Sequence, residues 1–476
     1  QRGAVPAQER AHQGAHQHLS PHAVFVVKRS AELLTRCLVV LASLGLFGCA
    51  GHESRVKAAL DALDVGDPEG AVAALNEEMG IETADQLPAL EGDNALLLLD
   101  RATILQSLGK LETSARDFGT ADKAIEVLDL SRSAADDLGK YLFSDDVGPY
   151  RAPAFEKLLL NSFNMLNYLG RHDLSGAKVE ARRLEVMERY LKDSEDTTAL
   201  VGLGSYLAGF AYEKAGDRDA ALLHYEEALS VHDYPSLLQP LQVLTGGERK
   251  SPHIDALIAG RGGAESLARA GDSEVLVVVG YGRVPQKLPE RIPIGLALTM
   301  VSGIISPHDA AQANELAAKG LVTWINFPRL GPARGRYSTP QLWVDGRATG
   351  LDHAMDIEAE VRRERGGKEP TGGLSAITRM ITRIIAGEVV QATTRAASDS
   401  GIVGLLAGLA TSATLTAADT PDTRSWSTLP SHVAIARMRL PPGTHEIAIE
   451  ARGVTGRQRI TTRPGDWSVV VLTALR

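Results

Sequence analysis

The sequence predicts an α+β chain: a repeating α-helical solenoid followed by a mostly-β domain with inserted helices. Three observations carry this. From Glu53 to about Leu244 apolar residues recur three and four apart, the period of amphipathic helices. Within that stretch Gly66, Gly109, Gly170 and Gly216 mark turns at irregular intervals, and spaced punctuation of this kind signals repeats. From Glu274 onward the pattern changes to short, valine-rich runs bounded by glycine, which read as strands. With 476 residues, 44% hydrophobic and 23% charged, the chain can bury one large core or two ordinary ones. The expected division is an upstream segment and signal peptide over 1–48, helical repeats over 49–250, a linker over 251–270 and an α+β domain over 271–476.

The N-terminal stretch sets the compartment. Lys28, Arg29 and Arg36 precede an uncharged run from Cys37 to Phe47, and polar His52 and Glu53 follow. A membrane-spanning helix needs about 20 apolar residues, so a run this short reads as the core of a signal peptide. Leu46-Phe47-Gly48-Cys49 looks like a bacterial lipobox, with Cys49 as the thiol that receives the lipid. Ala50 stands where an aspartate would resemble an inner-membrane retention signal, so outer-membrane delivery is expected. Cys37 and Cys49 are the two cysteines, and from Ala50 onward no thiol exists for a disulfide, a metal or a nucleophile. His12, His16, His18 and His22 lie ahead of the signal and read as an upstream tail, with no metal site assigned to them. The net charge is −9, and an acidic body lacks the basic face that nucleic-acid phosphates require.

Along the helical stretch, copies of one unit occur around Gly66-Asp67 with Ala71, around Gly109-Lys110 with Ala102, Phe118 and Ala121, and in Ala154 to Met187. The clearest is GSYLAGFAYEKAGDRDAALLHYEEALSVHD, Gly204 to Asp233. It resembles a tetratricopeptide repeat (TPR). Small residues at Gly209, Ala221 and Ala228 let two antiparallel helices approach, and Tyr212 and Tyr225 fill the gaps between them. A solenoid of such pairs presents a groove for a partner. Lys157, Asn161, Asn164 and Tyr168 fall on one face of the helix at 154–169, giving a polar stripe that suits either an extended peptide or glycan, or solvent.

Ser251 to Gly271 reads as a linker or short helix. The strands expected after it are Glu274 to Gly282, Leu321 to Phe327, Gln341 to Val344 before an Asp345-Gly346 turn, and the alternating AMDIEAEV at Ala354 to Val361. The tail adds His432 to Leu440, a Pro441-Pro442-Gly443 turn, Thr444 to Ala451, Arg457 to Thr462 and Trp467 to Thr473. Two helices are expected between them. The first, Leu374 to Ala396, carries Arg379 and Arg383 four apart, a pair that either grips a carboxylate or phosphate or stands in solvent. The second, Gly401 to Ala418, holds no charge and has Gly404 and Gly408 in a GxxxG, which suits membrane contact or a tight buried hairpin.

Catalytic patterns are absent from the sequence: no HExxH, no GxSxG, no phosphate loop and no complete GxGxxG. The expectation is a non-enzyme with no cofactor and no metal. His308-Asp309 and Asp352-His353 are base-and-orienter candidates only if folding brings them together.

ADTPDTRSWSTLPSHVAIARMRLPPGTHEI, Ala418 to Ile447, together with YRAPAFEKLLLNSFNMLNYL, Tyr150 to Leu169, resembles a family of TPR-containing bacterial envelope lipoproteins. Asp422, Arg424, Trp426, Leu429 and Pro430 carry one block of the resemblance, and Arg151, Pro153, Phe155 and Glu156 the other; Ala152 stands where a second proline is typical. The resemblance implies an association with lipoproteins that activate penicillin-binding proteins, and hence a place in peptidoglycan or envelope assembly. Read from its residues, DTRSWSTLP is either a binding loop, with Trp426 as platform and Arg424 as anion grip, or a structural corner. The function expected is therefore a lipid-anchored periplasmic scaffold that binds envelope proteins through a TPR groove. The alternative is a glycan-binding or glycan-processing envelope protein.

Overall fold

Among the described residues four antiparallel helix pairs follow one another, and each is closed by the same turn. They are α1 (His52–Val65) with α2 (Pro68–Glu78), α3 (Asn94–Ser107) with α4 (Leu111–Leu130), α5 (Ala154–Gly170) with α6 (Leu174–Lys192), and α7 (Gly202–Lys214) with α8 (Arg218–Val231). The structure, a computed structural model, describes residues 51–130, 150–192, 201–261, 271–301, 303–318, 324–334, 340–367, 378, 421–451 and 454–476.

At each turn one residue takes left-handed φ: Gly66 (84°), Gly109 (72°), His172 (58°) and Gly216 (80°). The next residue's N–H then reaches back to a carbonyl five residues earlier: Asp67 to Ala62 (2.9 Å), Lys110 to Leu105 (2.9 Å), Asp173 to Tyr168 (2.8 Å), Asp217 to Tyr212 (2.9 Å). This satisfies carbonyls that a helix end leaves open. Three of the pairs use the aspartate again as an N-cap, Asp67 accepting from Gly70 N, Asp173 from Gly176 N and Asp217 from Ala220 N. Four residues after the turn, Ala71, Ser114, Ala177 and Ala221 are buried where the second helix meets the first.

The third turn corrects the expected pattern. Gly170 ends α5 and is needed for close approach, since a Cβ there would sit 2.6 Å from a Leu111 methyl. The left-handed position falls to His172, whose ring packs on Trp467 at 4.4 Å between centroids.

After a 3₁₀ turn at Pro235–Leu237 come α9 (Leu238–Thr245) and α10 (Pro252–Arg261). Part of the stretch expected as a linker is therefore helical, because the Glu226 carboxylate on α8 accepts from the α10 backbone at His253 (3.1 Å) and Ile254 (3.0 Å).

The β portion comprises β1 (Ser273–Tyr281), β2 (Lys287–Pro293), β3 (Trp324–Leu330), β4 (Gln341–Val344), β5 (Arg347–Thr349), β6 (Asp352–Asp356), β7 (His432–Leu440), β8 (Gly443–Ala451), β9 (Val454–Thr462) and β10 (Trp467–Ala474). One sheet runs β10-β1-β7-β6, with β1 and β10 parallel and the other pairs antiparallel. A second, antiparallel sheet runs β5-β4-β8-β9. β2 and β3 form a separate two-stranded ribbon that carries α11 (Ile294–Val301) and α12 (Pro307–Ala318). An α+β fold is thus observed.

The first sheet is the middle layer. Leu276 and Val278 of β1, with Val433, Ile435, Val469 and Val471, join the core made by the helix pairs. Val275, Val277 and Val279 point the other way and pack with Leu342, Val344, Ile447 and Ile449 of the second sheet. Burial on both faces explains why β1 reads as an unbroken apolar run. Gly51–Arg476 form one unit, with helices and strands sharing that core.

AMDIEAEV departs from expectation. Its strand stops at Asp356, whose carboxylate accepts from Ala359 N at 2.9 Å and caps α13 (Ile357–Gly367). Alternation of polar and apolar residues there is the first turn of a helix. Asp345 (50°) and Gly346 (75°) do form the expected tight turn between β4 and β5. The helices expected at 374–396 and 401–418, with Arg379 and Arg383, lie outside the described residues apart from Thr378.

Gly209 tests the closeness of the pairs. A Cβ there would meet the Tyr225 ring at 2.6 Å, and that ring is held by its hydroxyl's bond to Glu213 (2.6 Å). Gly209→Ala is expected to lower stability by about 1–3 kcal/mol in urea unfolding, the cost of overpacking. Gly119→Ala on α4, where nothing lies within 4 Å, is the control and is expected to lose nothing.

Candidate functional site

The first helices of the pairs face inward. α3 and α5 pack on β10 and α7 on β6. From Ala95 to Gln106 every residue of α3 is buried. What fills the space between these helices and the middle sheet is the segment Pro421–Ser431.

Trp426 is 0% exposed, edge-on to Phe118 (5.6 Å) and Phe163 (5.9 Å). Its indole N–H donates to Thr103 Oγ1 at 2.9 Å and its backbone N–H to Glu156 Oε1 at 3.0 Å. The Tyr150 hydroxyl donates to the other oxygen of Glu156. Thr428 donates from both N (2.7 Å) and Oγ1 (2.9 Å) to Asp100 Oδ1, and His52 Nε2 lies 3.1 Å from the Ser425 carbonyl. Arg424 is fixed by Asp422 (2.8 and 2.9 Å) and Asp93 (3.4 Å), and its guanidinium lies 5.7 Å from the centre of the Tyr150 ring. DTRSWSTLP is therefore a buried corner, and neither Trp426 nor Arg424 is presented to solvent.

The polar stripe on α5 is also turned inward. Lys157 and Tyr168 are half-buried, but Asn161 and Asn164 are buried and both donate to Glu180 of α6 at 3.2 Å. Asn167, one turn on, bridges Ser114 Oγ (2.9 Å) and Gln106 Nε2 (2.8 Å). The stripe is a seam between helix pairs, a partner being Glu180, which lies 19 positions from Asn161 and which spacing along α5 alone does not reveal. Cys49 lies outside the described residues.

Burial makes the corner electrostatically unusual. It pushes Asp100 up to about 7 against the Thr428 bonds that favour the carboxylate, and pushes His52 down to about 3. Asp100 Oδ2 and His52 Nδ1 have no hydrogen-bond partner, and His52 Nε2 stands 3.8 Å from Asp100 Oδ2. Neither group is exposed, so both serve the segment they hold. Among the described residues no cluster of three or more His, Cys, Asp or Glu is arranged to hold a metal. Ser431, His432 and Asp356 line up as a relay, with contacts of 2.9 and 3.4 Å. Ser431 is fully buried and its hydroxyl already donates to the Tyr281 carbonyl at 3.0 Å, so it offers no face to a substrate. Asp352-His353 does not form a base pair of groups either: Asp352 accepts from Ser236 N at 2.9 Å.

Among the described residues, three open surfaces stand out. A groove of about 320 Å³ lies between α1 and the root of the ribbon, lined among others by Lys57, Asp61, Asp64, Arg283, Leu288 and Arg334. Its charges are matched: Lys57 pairs with Asp61, and Arg283 and Arg334 both reach Asp64. On the outer helices Val179, Val186 and Tyr190 of α6 and Leu223 of α8 are exposed. At the end of the ribbon Leu296 (52%), Met300 (47%), Ile304 (55%) and Trp324 (48%) stand in solvent. Sequence reasoning missed this last surface, although a signal exists: Ile292 to His308 contains no charged residue.

Comparison with protein-family models, with curated proteins and with solved structures finds no match.

The raised Asp100 gives a pH signature. Between its ordinary value of 3.8 and about 7 the folded chain holds a proton that the unfolded chain has released, so stability from this group falls as pH rises through that window. Asp100→Asn keeps an acceptor for Thr428 and never ionises. Its stability relative to wild type is expected to improve from pH 5 to pH 8 in urea unfolding; a constant difference would show that Asp100 does not titrate in that window. His52, whose shift acts in the opposite sense between 6.5 and about 3, is present in both proteins.

Proposed function

We propose that this chain is a lipid-anchored scaffold of the bacterial cell envelope, held on the periplasmic face of the outer membrane by Cys49, whose helix pairs are a divergent TPR-like solenoid that binds protein partners. Four features support the reading: the lipobox at Leu46 to Cys49, the turn shared by all four pairs, the small residues buried at their crossings, and the resemblance of the two sequence blocks to envelope lipoproteins.

The observation that carries it is the division of the helical layer. Its inner face is filled by the chain's own segment 421–431, while α6 and α8 turn large apolar residues outward at Val179, Val186, Tyr190 and Leu223. Val179, Val186 and Tyr190 are seven and four apart, so they share one face of α6. An apolar face on the outside of a repeat array is what a protein partner covers. Its partners are envelope proteins, among them lipoproteins that activate penicillin-binding proteins. A glycan site would want an aromatic floor, and the groove beside Arg283 has none among its lining residues.

Crosslinking and affinity purification from envelope fractions separate anchor from partner surface. Cys49→Ala is expected to make membrane attachment reversible, so that the protein is released on washing and loses its partners. Val186→Asp with Tyr190→Asp is expected to leave it at the membrane while the same partners are lost. The reading fails if the Cys49→Ala protein stays with membranes and keeps every partner, or if the purified chain hydrolyses peptidoglycan.

A further inference from the structure

The ribbon arm is built unlike the rest of the chain. β2 and β3 pair over seven residues, from Lys287 opposite Leu330 to Pro293 opposite Trp324, and neither joins the other sheets. The head they carry, α11 and α12, makes its principal contacts within itself and with the ribbon. α11 hides Ile294, Ala297, Leu298 and Val301, while Leu296 and Met300, four apart, line its outer side and Ile304 is exposed in the turn that follows it. Trp324 stands at the neck, and charge begins below it at Arg291, Glu290 and Arg329. The uncharged outer side of α11, the tryptophan neck and the charged stem follow the profile of the boundary between hydrocarbon and headgroups, and the charges of the head, Asp309 and Glu315, are confined to α12.

The position of the arm identifies what covers it. Glu53 and Ser54, at the start of α1, line the same groove as Gln286, Leu288, Gly331 and Pro332 at the arm's root. Cys49 stands two residues before Gly51, and two residues span at most about 7 Å. Seven residues of strand reach about 23 Å. On the anchoring reading, the lipid on Cys49 is therefore tethered within about 14 Å of Glu53, the reach of four residues, and so close to the groove from which the arm rises.

We propose that the outer side of α11, with Trp324, is a second membrane contact that lies in the interface of a phospholipid bilayer and fixes the orientation of the body on it. The inference rests on the anchoring reading above. α11 is eight residues, about 12 Å of helix, so it lies in the interface and does not span. Two contacts, one covalent and one through the arm, remove the free rotation that a single lipidated cysteine leaves.

The test uses the full chain with Cys49→Ala, so that no covalent lipid contributes, and vesicles of phosphatidylethanolamine and phosphatidylglycerol. Vesicles containing brominated phospholipid are expected to quench its tryptophan emission, and Trp324→Phe is expected to abolish that quenching. Leu296→Asp with Met300→Asp is expected to weaken vesicle partition at least about tenfold, since two apolar side chains lose their burial. Circular dichroism of this variant is expected to match that of its parent, which checks that it is folded. The inference is overturned if quenching survives Trp324→Phe or if the double aspartate variant partitions like its parent. It is also overturned if light scattering without lipid shows that the substitutions break a dimer, because the face then belongs to a second copy. If the Cys49→Ala chain ignores vesicles while the wild type fractionates with membranes, the arm proposal fails and the anchor stands. If the Cys49→Ala chain stays with membranes until the arm is also changed, the anchor fails and the arm stands.

Discussion

The indole of Trp426 closes the space between the helix pairs and the middle sheet, and much of the polar architecture follows from keeping it there. Its segment is irregular backbone passing through an apolar core, so its N–H and C=O groups have neither a ladder nor water to satisfy them. The inward helices supply partners instead. Glu156 takes the Trp426 N–H, Asp100 takes Thr428, and His52 reaches the Ser425 carbonyl. The acids are buried because the segment needs acceptors, and the raised affinity of Asp100 for its proton is one consequence.

A second seam solves the same problem with opposite polarity. Arg437 of β7 faces the helices opposite Leu276 and is fully surrounded by Glu213 of α7 (2.7 and 2.8 Å), Glu274 of β1 and the Tyr225 hydroxyl (2.9 Å), with Phe210 beneath its guanidinium at 5.0 Å. Burial alone would raise Glu213, but Arg437 and Lys214 outweigh it and hold the carboxyl down at about 2. Removing one member of such a group leaves an uncompensated buried charge, which costs far more than replacing the whole set by apolar residues would. Between the two seams the contact of helices on sheet is apolar, so the polar groups set where the layers meet while the hydrophobic core makes them meet.

What the sequence reveals of this follows the range of each interaction. The helix pairs are legible because their determinants are local: a left-handed residue, a capping aspartate and a small residue four positions on. β1 is legible because burial on both faces leaves no polar position in it. The third turn is misread because Gly170 and His172 exchange the two things glycine does, close packing and left-handed φ, and only Leu111 and Trp467 reveal which is which. AMDIEAEV is misread because one aspartate ends a strand and starts a helix. Asn161 and Asn164 look like a free polar stripe because Glu180, their acceptor, sits on the next helix. The arm is legible only as missing charge, since Pro289 and Pro293 in β2 disguise a ribbon whose pairing is confined to one partner strand.

The filled inner face also constrains how an array of this kind works. An empty solenoid groove can take any extended partner that matches it, whereas here that surface is committed to residues 421–431 and their eleven-position path from α1 to β7. On the proposed scaffold reading, recognition is displaced to surfaces that the repeat pattern does not mark, on the backs of α6 and α8 and at the end of the arm. The surfaces on α6 and α8 sit on a rigid support, because the helix layer to which they belong is locked to the sheet by Trp426 and Arg437. A scaffold needs that rigidity more than it needs a groove: partners held at separate faces keep a fixed mutual geometry only if the body between them cannot flex, and a shared core across three layers provides it.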